Sequence, residues 1–89
     1  MSDYANFPPY KNLRKVLSSC PQAALFYISI WQAKKSNDRV IIDKKSLKTS
    51  YLTSKALARN YLLWLTKLEL VVYEEGMQSL VIDILTDAS

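Results

Sequence analysis

Histidine is absent from this 89-residue chain, and cysteine and glycine occur once each. Without imidazole there is no histidine acid or base, no Ser-His or Cys-His nucleophile pair and no Cys/His zinc set. A lone Gly76 cannot build a glycine-rich phosphate loop. Cys20 has no partner for an internal disulfide, so nothing marks an oxidising compartment. It reads as a small buried apolar residue. The eight carboxylates are scattered and leave little material for catalysis. The chain therefore reads as a non-enzyme, with no catalytic, cofactor-binding or metal-ligating residue assigned. No basic-then-apolar leader opens it, since the first ten residues carry Asp3, Pro8 and Pro9. The most apolar run, residues 23–31, falls far short of the roughly 20 residues a spanning helix needs. A cytoplasmic protein with no membrane partner is expected.

What is present is apolar and basic. Hydrophobic residues make up 49% of the chain, too many for a disordered one. The length fits a single domain with a modest core. The net charge of +4 hides an asymmetry. Residues 11–67 hold all twelve Lys and Arg against only Asp38 and Asp43. Residues 68–89 hold five carboxylates and no cation. A basic middle of this kind suits a polyanionic partner.

Local signals divide the chain. Residues 1–9 read as a loose arm and 86–89 as a tail, with a single domain over 10–85. Tyr10, Leu13, Val16 and Leu17 recur at helical spacing, which predicts a helix over about 9–18. Ser19 or Cys20 followed by Pro21 predicts a second start, with a helix running to about Lys35. That helix is apolar nearly all round, so it must be covered on several sides. Ser36-Asn37-Asp38 reads as a turn and Val40-Ile41-Ile42 as a short strand. Asp43 caps a short helix over 44–51, with Leu47 and Tyr51 facing inward. Thr53 or Ser54 caps a longer one over 55–69. At 100° per residue, Leu57, Ala58, Tyr61, Leu62, Trp64, Leu65 and Leu68 share one arc of it. Lys55, Ala56, Arg59, Asn60, Leu63, Thr66 and Lys67 share the other. Strands over 70–73 and 79–84 flank a turn at 74–78 and form a hairpin.

The stretch Ser54–Val71 carries a Ser cap, a basic first residue, core positions at Ala58, Leu62, Leu65 and Leu68, and an apolar exit at Leu70-Val71. With the preceding helix, strand and helix, it resembles the winged helix-turn-helix family over about residues 19–85. The resemblance implies an α+β, mainly helical fold: three to four helices with a small antiparallel sheet and a wing hairpin at about 70–84. The family usually has Gly where Glu69 stands, because that residue turns left-handed after the helix. With Glu69 there, either that residue is strained or the helix runs on differently.

By the same resemblance, the second helix of the motif enters the major groove of duplex DNA. Lys55, Ala56, Arg59 and Asn60 would face the DNA, while Lys44, Lys45, Lys48 and Ser54 would meet phosphates, and Lys67 is a further expected DNA-binding residue. Such a protein would be a transcriptional regulator or a replication or partition accessory factor. Glu74 and Glu75 in the wing oppose a phosphate contact there. The alternative is an adaptor that binds a protein partner. Tyr10, Leu13, Phe26, Ile30, Leu63 and Trp64 are the expected protein-interface residues. A surplus of apolar residues over 10–34 implies either that the N-terminal helix covers the first long helix or that two chains form a homodimer there.

Overall fold

The computed structural model describes residues 7–34 and 37–85. The expected arm as far as residue 6, Lys35 and Ser36 of the helix end and turn, and the tail over 86–89 lie outside the described residues.

Helix α1 spans Tyr10–Ser19. The Pro9 carbonyl accepts from the N–H groups of Asn12 and Leu13 at 3.0 and 3.1 Å, so proline sits where its missing donor costs nothing. Cys20 precedes a single 3-10 turn, Pro21–Ala23, which runs into helix α2 (Ala24–Ala33). Strand β1 is Arg39–Asp43. Asp43 Oδ1 accepts from the N–H of Lys45 at 3.0 Å. That cap starts a 3-10 turn, Lys44–Ser46, and the four-residue helix α3 (Leu47–Ser50). Ser54 Oγ accepts from the N–H of Leu57 at 3.2 Å and caps helix α4 (Lys55–Lys67). The caps read at Asp43 and Ser54 are both made. Strands β2 (Val71–Glu75) and β3 (Ser79–Ile84) follow.

The sheet is antiparallel in the order β1-β3-β2, so the last strand lies in the middle. With helix, strand, helix, helix and hairpin in that sequence, the fold is α+β, mainly helical, with a winged-helix topology. The wing is shorter in its turn than the sequence implied. Glu74 and Glu75 belong to β2, and the N–H of Gly76 donates to the carbonyl of Ser79 at 2.8 Å. Gly76 does not have a positive φ, so the turn does not depend on glycine's conformational freedom.

Alternation on β3 buries Leu80, Ile82 and Ile84 against the helices. Opposite them lie Ala58, Leu62 and Leu65 of α4 and Phe26, Tyr27, Ile30 and Trp31 of α2. Most of the apolar surface of α2 is met within the chain, although Leu25 stands 77% exposed. Val16 of α1 is fully buried, and buried Asn12 donates from Nδ2 to the Tyr27 hydroxyl at 3.1 Å. Burial raises the Tyr27 hydroxyl's pKa above its ordinary value, so this bond persists with a neutral phenol. Leu57, expected inside, is exposed. It lies at the margin of the apolar arc, in the first turn, next to fully buried Ala58.

Helix α4 ends in a Schellman turn. The N–H of Leu70 donates to Leu65 and that of Glu69 to Thr66, at 2.9 and 3.0 Å. Leu65 and Leu70, the pair that flanks such a turn, are both buried. Glu69 sits at φ 63°, in the left-handed region, which is the first of the two outcomes the sequence left open. A side chain there costs roughly 1–2 kcal/mol, which glycine avoids at some cost in chain entropy. Glu69→Gly is therefore expected to stabilise the fold by about 1 kcal/mol, read as a higher urea midpoint at unchanged slope.

Candidate nucleic-acid interface

The site is built where two local starts meet. Asp43 turns the chain from β1 into the 3-10 turn that carries Lys44 and Lys45, and Lys48 follows in α3. Ser54 begins α4 with Lys55 at its first position. As a result Lys44, Lys45, Lys48 and Lys55 line one shallow concavity together with Thr53 and Ser54. Lys45, Lys48 and Lys55 are exposed, and none has a carboxylate partner among the described residues. The first turn of α4 holds no acidic residue, so its positive dipole end adds to the lysines without an internal counter-charge.

The wing does not stand off from this cluster as a repelling acid. Glu75 turns back onto it. Arg59 donates from Nε to Glu75 Oε1 at 2.9 Å and from Nη2 to Oε2 at 2.7 Å. Lys44 donates from Nζ to Oε2 at 2.8 Å. One carboxylate thereby ties β2 to α4 and to the start of the α3 segment. Hydrogen bonds from Arg59 and then Lys44 pull the Glu75 carboxyl down from 4.5 to about 2. The same pair raises the Arg59 pKa above its ordinary value. Of the expected DNA-facing residues, Lys44 and Arg59 are thus held by an internal partner. Sequence reasoning missed this because Glu75 is 31 and 16 residues away from them.

The other expected residues divide clearly. Asn60 is exposed on the same face of α4 as Arg59. Lys67 is at the far end of the helix, about 18 Å along the axis from Lys55 at 1.5 Å per residue. Its Nζ lies 5.2 Å from the centre of the Trp64 ring. It is therefore not brought together with the lysine cluster. Among the expected protein-interface residues, Tyr10 and Leu63 are exposed, while Leu13 and Trp64 are half-buried against the core. Phe26 and Ile30 must be corrected: both are buried inside this chain. They lie on the sides of α2 that α1, α4 and the sheet cover, and Phe26 packs its ring on Tyr51 and Tyr61.

Compared with family models, curated proteins and solved structures, the chain matches none of them. No helix among the described residues is long and apolar enough to cross a membrane.

Proposed function

We propose that this chain is a small winged-helix protein that binds duplex DNA, in the role of a transcriptional regulator or a replication or partition accessory factor. The observation that carries this reading is the gathering of Lys44, Lys45, Lys48 and Lys55 in one concavity at the capped start of α4. Lys44 is held by Glu75, but Lys45, Lys48 and Lys55 have no carboxylate partner among the described residues, and a row of backbone phosphates would supply an anionic one while releasing counterions. Lys45, Lys48 and Lys55 position the domain on the backbone. Asn60, and Arg59 when Glu75 lets it go, are the side chains suited to base edges. The site takes no cofactor, and its role is binding rather than catalysis.

The test is a titration of labelled duplex DNA at two salt concentrations. Affinity should fall steeply between about 50 and 200 mM salt. Lys45→Ala should weaken every sequence alike and make the slope of log affinity against log salt shallower by about 0.9. A second reading, an adaptor that docks a protein, is favoured by Leu63, which stands 52% exposed in the middle of the outer face of α4. The adaptor predicts that Leu63→Asp abolishes a protein complex. Absence of duplex binding even at about 50 mM salt decides for it.

A further inference from the structure

The sheet has two open edges, and strand β1 forms one of them. Its sequence, Arg39-Val40-Ile41-Ile42-Asp43, contains no proline and no lysine. In its centre Ile41 stands 66% exposed on the outer face of the sheet.

The hydrogen-bond phase of β1 follows from its two ends. The N–H of Ile84 donates to the Asp38 carbonyl and the N–H of Lys44 to the Gln78 carbonyl, both at 2.9 Å. Bonded pairs alternate along an antiparallel ladder. With the register Val40↔Ile82 and Ile42↔Leu80, it is Val40 and Ile42 that bond to β3. The backbone groups of Arg39, Ile41 and Asp43 therefore point to the open edge. Among the described residues, the N–H and carbonyl of Ile41, the carbonyl of Arg39 and the N–H of Asp43 have no partner in a turn, loop or cap. Beside them runs an open groove bordered by exposed Ala33 and Asn37.

We propose that β1 pairs antiparallel with β1 of a second copy of this chain about a twofold axis at Ile41, forming a homodimer with one continuous six-stranded sheet. The register is fixed by the residues themselves. Ile41 faces Ile41, and Arg39 of each copy faces Asp43 of the other. All three residues are in the bonded phase, so two N–H groups of Ile41 and two of Asp43 find the carbonyls of Ile41 and Arg39. The side chains agree with the backbone. Arg39, Ile41 and Asp43 share the outer face, in the exposed positions of an alternating strand. Arg39 spends Nε and Nη2 on Asp83, at 2.8 and 3.3 Å, which leaves Nη1 for a second carboxylate. Asp43 spends Oδ1 on the N–H of Lys45. Each arginine then lies between two carboxylates, and the row across the axis reads Val81, Ile41, Ile41, Val81. A slip of one residue would turn the bonding groups away, and a slip of two would separate both ion pairs, so a single register meets every requirement. The inference is independent of DNA binding.

Sedimentation at about 100 μM, where a modest interface is filled, should give twice the mass of the chain. Ile41→Pro removes only an N–H that faces the open edge, which an edge strand tolerates, and should give single chains with unchanged circular dichroism. Arg39→Asp and Asp43→Arg should each be monomeric alone and should form a mixed dimer when combined, since opposite charges then face each other at both pairs. Ile41→Cys should cross-link to itself on oxidation, as the facing Cα atoms lie at about 5.5 Å, within disulfide reach. A wild-type chain that stays single, a dimer that survives Ile41→Pro, or a folded Ile41→Cys that fails to cross-link while Tyr10→Cys does so would overturn the proposal; the last would place the interface on α1.

Discussion

Leu65→Ala should cost on the order of 2–5 kcal/mol, a large part of the stability of a domain this size. Leu65 is fully buried in the core shared by α2, α4 and the sheet. It also closes the end of α4, since its carbonyl accepts from Leu70 while Leu70 itself is buried. Truncation removes three carbons, the Cγ methine and its two methyl groups, from contact. It leaves a void that the sheet cannot close, because β3 is held between two strands. Leu63, two residues earlier on the exposed face, is the control, and Leu63→Ala should change stability by less than about 0.5 kcal/mol. Urea unfolding of the two variants at one pH checks the pair. Equal small losses would mean that α4 does not present the face described here to the core.

The elements were legible in the sequence where the cause is local. Asp43 and Ser54 each cap the turn that follows them, and a cap needs only neighbours within three residues. The apolar arc of α4 and the alternation of β3 are likewise short-range patterns, whereas the left-handed turn at Glu69 was one of two outcomes that the family resemblance left open. What covers α2 was not legible. A helix apolar nearly all round demands cover, but its own residues do not say whether α1 or a second chain supplies it. The bond from Asn12 to Tyr27, fifteen residues apart, fixes α1 on α2, and Phe26 and Ile30 are buried within the chain, Phe26 against Tyr51 and Tyr61. The candidate site divides in the same way. Lys44, Lys45, Lys48 and Lys55 were readable as one set because they crowd two consecutive starts. The clamp on Lys44 and Arg59 depends on the hairpin folding back over α4, and no local pattern encodes that.

That clamp gives the second large effect. Glu75→Gln should raise affinity for duplex DNA and make its salt dependence steeper. The carboxylate cancels charge on Lys44 and Arg59, and with an amide in its place both cations become available to phosphates. Each additional phosphate contact steepens the slope of log affinity against log salt by about 0.9, so the variant gains up to about 1.8. Glu75→Lys should go further, since it adds a cation as well. The same substitution has a separate signature in stability. The Glu75 carboxyl is held at about 2 instead of 4.5, so its contribution is fully present above about pH 4.5 and is lost as pH falls toward 2. The stability difference between wild type and Glu75→Gln should therefore be constant near neutral pH and shrink as the pH is lowered through that window. High salt should also reduce it, because the pair is at the surface. The two readouts separate the structural role of Glu75 from its effect on binding. If the pH-dependent difference appears while duplex affinity and salt slope stay those of the wild type, the clamp exists but Lys44 and Arg59 do not face DNA, and the helix-turn-helix face belongs to a protein partner.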